Sequence, residues 1–106
     1  RALLDEEAAR DRRGPAAIAA ATRAIAGHRE ALALADAADT TGRAISRNNI
    51  GVAFRRLALA GAPRAFLDSA DAAYADALAL HEARGDRRQA DRVRHNLALV
   101  RRDRGD

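Results

Sequence analysis

The amino-acid sequence predicts an all-α protein, and two features of its composition support that prediction. Alanine supplies 30 of the 106 residues, and alanine loses no side-chain entropy when the backbone becomes helical. The chain has only two prolines, and aromatic residues make up 3% of it. Large side chains are therefore scarce, so we expect thin, closely packed helices.

Glycine, proline and short polar runs divide the first half of the chain into three helices. Residues 1–13 carry acidic side chains first and arginines last, the charge order of a helix end. Gly14 and Pro15 then end that helix and start the next, which we expect at residues 15–38. The polar run at residues 39–42 can cap a third helix, expected at residues 42–60.

The second half contains similar helix-ending and helix-starting residues, which bring the expected number of helices to about five. Gly61-Ala62-Pro63 precedes a fourth helix, predicted at residues 63–84. Gly85-Asp86 ends it, and a fifth helix is predicted at residues 87–104. By length, residues 1–106 form a single helical repeat domain, which we expect to be a fragment of a longer array.

The third helix has an apolar side next to a glycine. Ile50, Phe54 and Leu57 recur at helical spacing, so they should face a neighbouring helix. Gly51 should allow that neighbour to approach closely. Tyr74, in the fourth helix, is expected in the core with them.

Two segments of the sequence recur at a nearly constant interval. Residues 30–34 return as residues 76–80, 46 positions later, and residues 47–52 return as residues 94–99, 47 positions later. A fixed period of this length predicts stacked helix-turn-helix units, because one such unit cannot bury its apolar side alone.

Several of these residues resemble the tetratricopeptide repeat family. The first-helix pattern is Ile50-Gly51 followed by Phe54, and the second-helix pattern is Ala70, Tyr74 and Ala77. An earlier copy of the second pattern is Ala24, His28 and Ala31, with His28 in the aromatic position. Arg47 and Arg101 stand where the family usually has aromatic residues. The resemblance covers residues 15–106, is closest to long-repeat bacterial members, and implies antiparallel helix pairs stacked as a short right-handed α-solenoid.

The resemblance also implies a concave wall lined by the first helix of each pair, which would bind a peptide. By position, Ile45 and Asp103 lie on that wall together with ten candidate peptide-binding residues. These ten are Asn48, Asn49, Val52, Arg55, Arg56, Arg92, His95, Asn96, Leu99 and Arg102.

The chemistry of these residues favours an acidic or carboxylate-bearing peptide segment or partner protein. Asparagine amides can pair with an extended peptide backbone, and arginine forks suit carboxylates. Two alternatives stay open: Asn49 and Asn96 could instead fix the stacking of neighbouring repeats, and Arg102 could belong to a solvated face. All 19 basic residues are arginine, which a GC-rich coding bias also explains.

The sequence gives little support for catalysis, and we expect a protein that is not an enzyme and needs no cofactor or metal. His28, His81 and His95 lie far apart, and Ser46 and Ser69 stand in helical patterns without a nucleophile turn. No apolar run is long enough to cross a membrane. The absence of cysteine agrees with a cytoplasmic location.

Two other functions remain as alternatives to peptide binding. Arginines cluster at positions 84, 87, 88, 92 and 94, and again at 101, 102 and 104, which could contact nucleic-acid phosphates. Self-association or scaffolding is the third possibility, because a solenoid fragment would expose apolar ends that could stack into a homodimer.

Overall fold

A computed structural model describes residues 13–36 and 38–106, and over these residues the protein is all-α. Its four helices are α1 (Pro15–Leu34), α2 (Thr40–Leu59), α3 (Phe66–Ala83) and α4 (Arg87–Arg104). The all-helical prediction is therefore confirmed for the described part of the chain. The additional helix expected at residues 1–13 lies outside it, except for Arg13.

Most of the predicted helix boundaries lie within three residues of those in the structure, and one differs by more. Helix α1 ends at Leu34 instead of residue 38, because the backbone of Ala35 is extended. The carboxylate of Asp36 accepts a hydrogen bond from the amide of Ala38, which favours a turn over another helical turn. Helix α3 begins at Phe66, because residues 63–65 form a turn that precedes it.

The caps of the helices explain where the other boundaries fall. Asp39 caps α2 by accepting a hydrogen bond from the amide of Gly42 at 2.9 Å. Asp86 caps α4 in the same way through the amide of Gln89 at 3.2 Å. Each cap satisfies one of the amide groups that a helix leaves unpaired in its first turn.

Each helix packs antiparallel against the next one along the chain. The amide of Gly14, just before α1, donates to the carbonyl of Ala60, just after α2. Helix α3 packs against both α2 and α4, and α4 also touches α2. One core joins all four helices, with Ile25 from α1, Leu57 from α2 and Val100 from α4 among its buried residues.

Helices α2 and α3 come closest where Gly51 faces the ring of Tyr74. A β-carbon built on Gly51 would lie 2.6 Å from Cε1 of Tyr74 and 3.0 Å from Cγ, which is too close for any side chain. Tyr74 is only 2% exposed, so moving its ring aside would disturb the packing of the core. The expectation that Gly51 permits close helix packing is confirmed, as is the burial of Ile50, Phe54 and Leu57.

Two further contacts hold the aromatic residues of the core. The rings of Phe54 and Phe66 stack with their centroids 5.7 Å apart. The guanidinium of Arg29 lies 5.6 Å from the centroid of Phe54, a cation–π contact that ties α1 to α2. His28, in the expected aromatic position, is half-buried.

We expect Gly51→Ala to lower the free energy of unfolding by about 1–3 kcal/mol, because the added methyl group must displace the Tyr74 ring. Gly27→Ala is the matched control, since a β-carbon at Gly27 meets nothing within 4 Å. That substitution should raise stability by about 0.5–1 kcal/mol through helix propensity alone. Urea unfolding measures both, and stabilisation by Gly51→Ala would contradict the packing described here.

Candidate functional site

Two side-chain contacts join helices α2 and α4. The amide of Asn96 donates to the side-chain oxygen of Asn48 at 3.1 Å, and Nε of Arg55 donates to the carboxylate of Asp103 at 2.7 Å. From the first contact to the second, both helices advance by seven residues, so α2 and α4 run parallel. Because α3 packs against both, it brings these distant parts of the sequence together.

The residues predicted as a binding wall therefore share one surface of the structure. It also contains Leu59, which sequence reasoning missed although it lies seven residues after Val52. We call this surface the α2–α4 face. Its members are Ile45, Asn48, Asn49, Val52, Arg55, Arg56 and Leu59 on α2, and Arg92, His95, Asn96, Leu99, Arg102 and Asp103 on α4.

Part of this face is engaged in holding the two helices together. The side chain of Arg55 is 25% exposed and that of Asp103 is 16% exposed, so their ion pair is partly buried. Arg64, in the turn before α3, also donates to the backbone carbonyl of Asp103 at 2.7 Å. The amide of Asn96 links α4 to α2 through the side chain of Asn48, and not through the backbone of a neighbouring repeat.

Other charged and polar members of the face are open to solvent. Arg56, Arg92 and His95 are exposed, and within the described residues none of them forms an ion pair or a side-chain hydrogen bond. The side chain of Arg102 is 71% exposed and lies 3.8 Å from Asp103, which is a loose contact. These side chains can therefore meet an anionic group without first breaking a strong internal bond.

The opposite edge of α4 is neutralised by carboxylates of α3 and its neighbours. Arg101 pairs with Asp71, and Arg104 pairs with Asp68, Asp71 and Asp106. Arg94 pairs with Glu82 and with Asp91. Three of the clustered arginines that suggested nucleic-acid binding are thus already matched with acidic groups.

The two arginines in aromatic positions of the repeat pattern also act as links between helices. Arg101 reaches Asp71 on α3, and Arg47 on α2 reaches Asp76 on α3 at 3.3 Å. Both pairs lie at the helix surface. Ionic links of this kind contribute modestly to stability at an exposed position.

Tyr74 lies beneath the arginines of α2. Burial raises the pKa of Tyr74 to about 12, and the positive charges of Arg55 and Arg56 partly oppose that rise. The phenol therefore stays protonated at neutral pH, and its ring serves as part of the core.

A shallow cleft of about 310 Å³ lies away from the α2–α4 face, at the turn between α3 and α4. None of the predicted site residues lines it. Its lining residues are Glu82, Gly85, Asp86, Arg87, Ala90, Asp91 and Arg94. Arg94 pairs with two of these acidic residues and Asp86 caps α4, so the charged groups of the cleft are mostly occupied by one another.

The described part of the chain offers no metal site of the usual kind. It contains no group of three or more histidine, aspartate or glutamate side chains arranged to hold a metal ion. The buried Nδ1 atom of His81 has no hydrogen-bond partner among the described residues. The other two histidines, His28 and His95, lie elsewhere in the sequence. None of the described helices is long and apolar enough to cross a membrane.

Comparisons with protein-family models, with curated proteins and with solved structures found no match for this chain.

We expect the free energy of unfolding to fall as the pH rises from about 10 to about 12. Below this window Tyr74 is protonated in both states. Within it the unfolded chain releases the proton while the folded protein retains it, so the unfolded state gains stability. The loss should reach roughly 1–3 kcal/mol at the upper end.

Urea unfolding at several pH values tests this expectation, with Tyr74→Phe as the control that removes the titrating group. The chain contains a single tyrosine, so the ultraviolet absorbance of the phenolate reports this residue alone. Ionisation of the folded protein at the ordinary pKa of a tyrosine would contradict the burial of its hydroxyl end.

Proposed function

We propose that the chain is a protein-interaction module, and not an enzyme, that binds an acidic or carboxylate-bearing segment of a partner protein on its α2–α4 face. The observation that carries the proposal is the division of that face into two parts. Asn48, Asn96, Arg55 and Asp103 hold the helices side by side, while Arg56 and its exposed neighbours stay open.

The arrangement of charges supports an acidic ligand. On the open part of the face, Arg56, Arg92 and Arg102 are arginines without a strong internal partner, and guanidinium groups bind carboxylates through paired hydrogen bonds. Ile45 and Leu59 lie beside them and are 44% and 49% exposed. An acidic segment with some apolar side chains would complement both features.

The same proposal includes a solenoid of tetratricopeptide type. It is supported by the internal repeat, by the close contact of Gly51 with Tyr74 and by the burial of Ala70 and Ala77. In that arrangement α2 and α4 are the first helices of successive pairs and their shared face is the concave wall. A cytoplasmic location, expected from the absence of cysteine, belongs to this proposal as well.

Nucleic-acid binding is the second candidate function. It is favoured by Arg84, Arg87 and Arg88, which are exposed and form no ion pair within the described residues. It is weakened by the neutralised edge of α4, which leaves fewer free arginines than the sequence suggests. A steep loss of affinity for duplex DNA with added salt would favour it over the acidic-peptide function.

We expect Asn49→Ala combined with Arg56→Ala to weaken binding of an acidic peptide by roughly 2–3 kcal/mol, because both side chains would donate to it. A displayed peptide library, selected on the unmodified protein, supplies the peptide, and calorimetry measures the affinities. Arg23→Ala, at an exposed position on α1, is the control and should leave the affinity unchanged. Equal affinity of the double variant and the unmodified protein would contradict the assignment of this face.

A further inference from the structure

We propose that the segment bound by the α2–α4 face is an amphipathic helix of about four turns, with carboxylates along one edge. The inference rests on the proposed function and specifies the shape of its ligand. It follows from the spacing of exposed side chains on α2, from the hydrogen bond between the two asparagines, and from the position of the free charges on α4.

Helix α2 carries a row of apolar side chains whose two ends are exposed to solvent. Ile45, Val52 and Leu59 are spaced by seven residues; the first and last are 44% and 49% exposed, and Val52 is partly buried. Asn49 and Arg56 lie between them, so the row alternates in steps of four and three. A seven-residue spacing is the one that keeps a contact row facing a second helix.

Exposure of these side chains is unusual in this protein. Large apolar residues are scarce in the sequence, and the large hydrophobic residues exposed in the described part of the chain are Leu34, Ile45 and Leu59. Two of the three fall in this one row. From Ile45 to Leu59 the row extends about 21 Å along the helix axis, which fits a partner helix of about four turns.

The asparagines are less well suited to an extended peptide than their sequence positions imply. An extended peptide needs donors and acceptors for its backbone, but the side chains of Asn48 and Asn96 are hydrogen-bonded to each other. Only Asn49 lacks such a bond within the described residues. A helix satisfies its own backbone groups, so it requires only side-chain contacts from this face.

The free charges of α4 determine where the carboxylates of the partner should lie. Arg92 and Arg102 occupy the open edge, with the exposed side chain of His95 between them, while Arg94, Arg101 and Arg104 are paired with acidic residues on the opposite side. A helix lying on α2 would place one of its edges beside these free groups. Glutamates on that edge would complement them, and lysines would be repelled.

The test uses a designed peptide of about 16 residues with leucines at heptad positions and glutamates along one edge. One form is stapled into a helix, and a second has the same charge but a central proline that prevents the helix. Fluorescence anisotropy measures the binding of each to the full chain. We expect the stapled form to bind roughly tenfold more tightly than the proline form.

Two variants of the protein make the test specific to the row. Ile45→Ser with Leu59→Ser should weaken binding of the stapled peptide roughly tenfold, because the two substitutions remove the apolar side chains that would contact it. Leu34→Ser is the matched control, since Leu34 is 79% exposed, lies at the end of α1 and is not a member of the face. It should change the affinity less than twofold, and circular dichroism verifies that each variant is folded.

Several results would overturn the inference. Equal binding of the stapled and proline forms, or binding of the proline form alone, would show that the ligand need not be a helix and would leave the proposed function intact. Failure of every acidic peptide to bind would remove both the inference and the function. Dimerisation that Ile45→Ser with Leu59→Ser abolishes, measured by sedimentation, would assign the row to a second copy of the chain.

Discussion

The contact between Gly51 and Tyr74 is the constraint on which the rest of the structure depends. It sets the distance between α2 and α3, because the buried ring fills the space that a side chain at Gly51 would need. Helix α3 in turn carries α4, so the same contact determines how α4 lies beside α2. In a chain with few aromatic residues, this buried ring against a glycine is the closest-packed part of a core made mostly of aliphatic side chains.

The arginines divide according to this arrangement. Three arginines of α4, namely Arg94, Arg101 and Arg104, are matched by carboxylates of α3. Those on the open edge, such as Arg92, have no such partner within the described residues. One residue type thus serves two purposes: it fastens α4 to α3, and it leaves positive charge on the face that we propose binds a partner. Composition bias can explain the abundance of arginine but not this separation.

The sequence predicted the helices well because alanine, glycine and proline act locally. It also predicted the burial of Ile50, Phe54 and Leu57, whose spacing follows from the geometry of one helix. It could not predict that Asn96 would bond to Asn48, because their distance depends on how α3 positions α4. The same limit applies to the arginine clusters, whose partners lie on another helix. The early end of α1 depends on a local turn at Asp36, which helix periodicity does not reveal.

We propose that α2 and α4 form a single binding face for an acidic partner. This proposal is tested by titrating isotope-labelled protein with an acidic peptide that binds it and following the amide chemical shifts. The largest changes in chemical shift should occur along residues 45–59 and 92–103, with little change on the exposed side of α1. Changes concentrated at the turn between α3 and α4, or on α1, would contradict it.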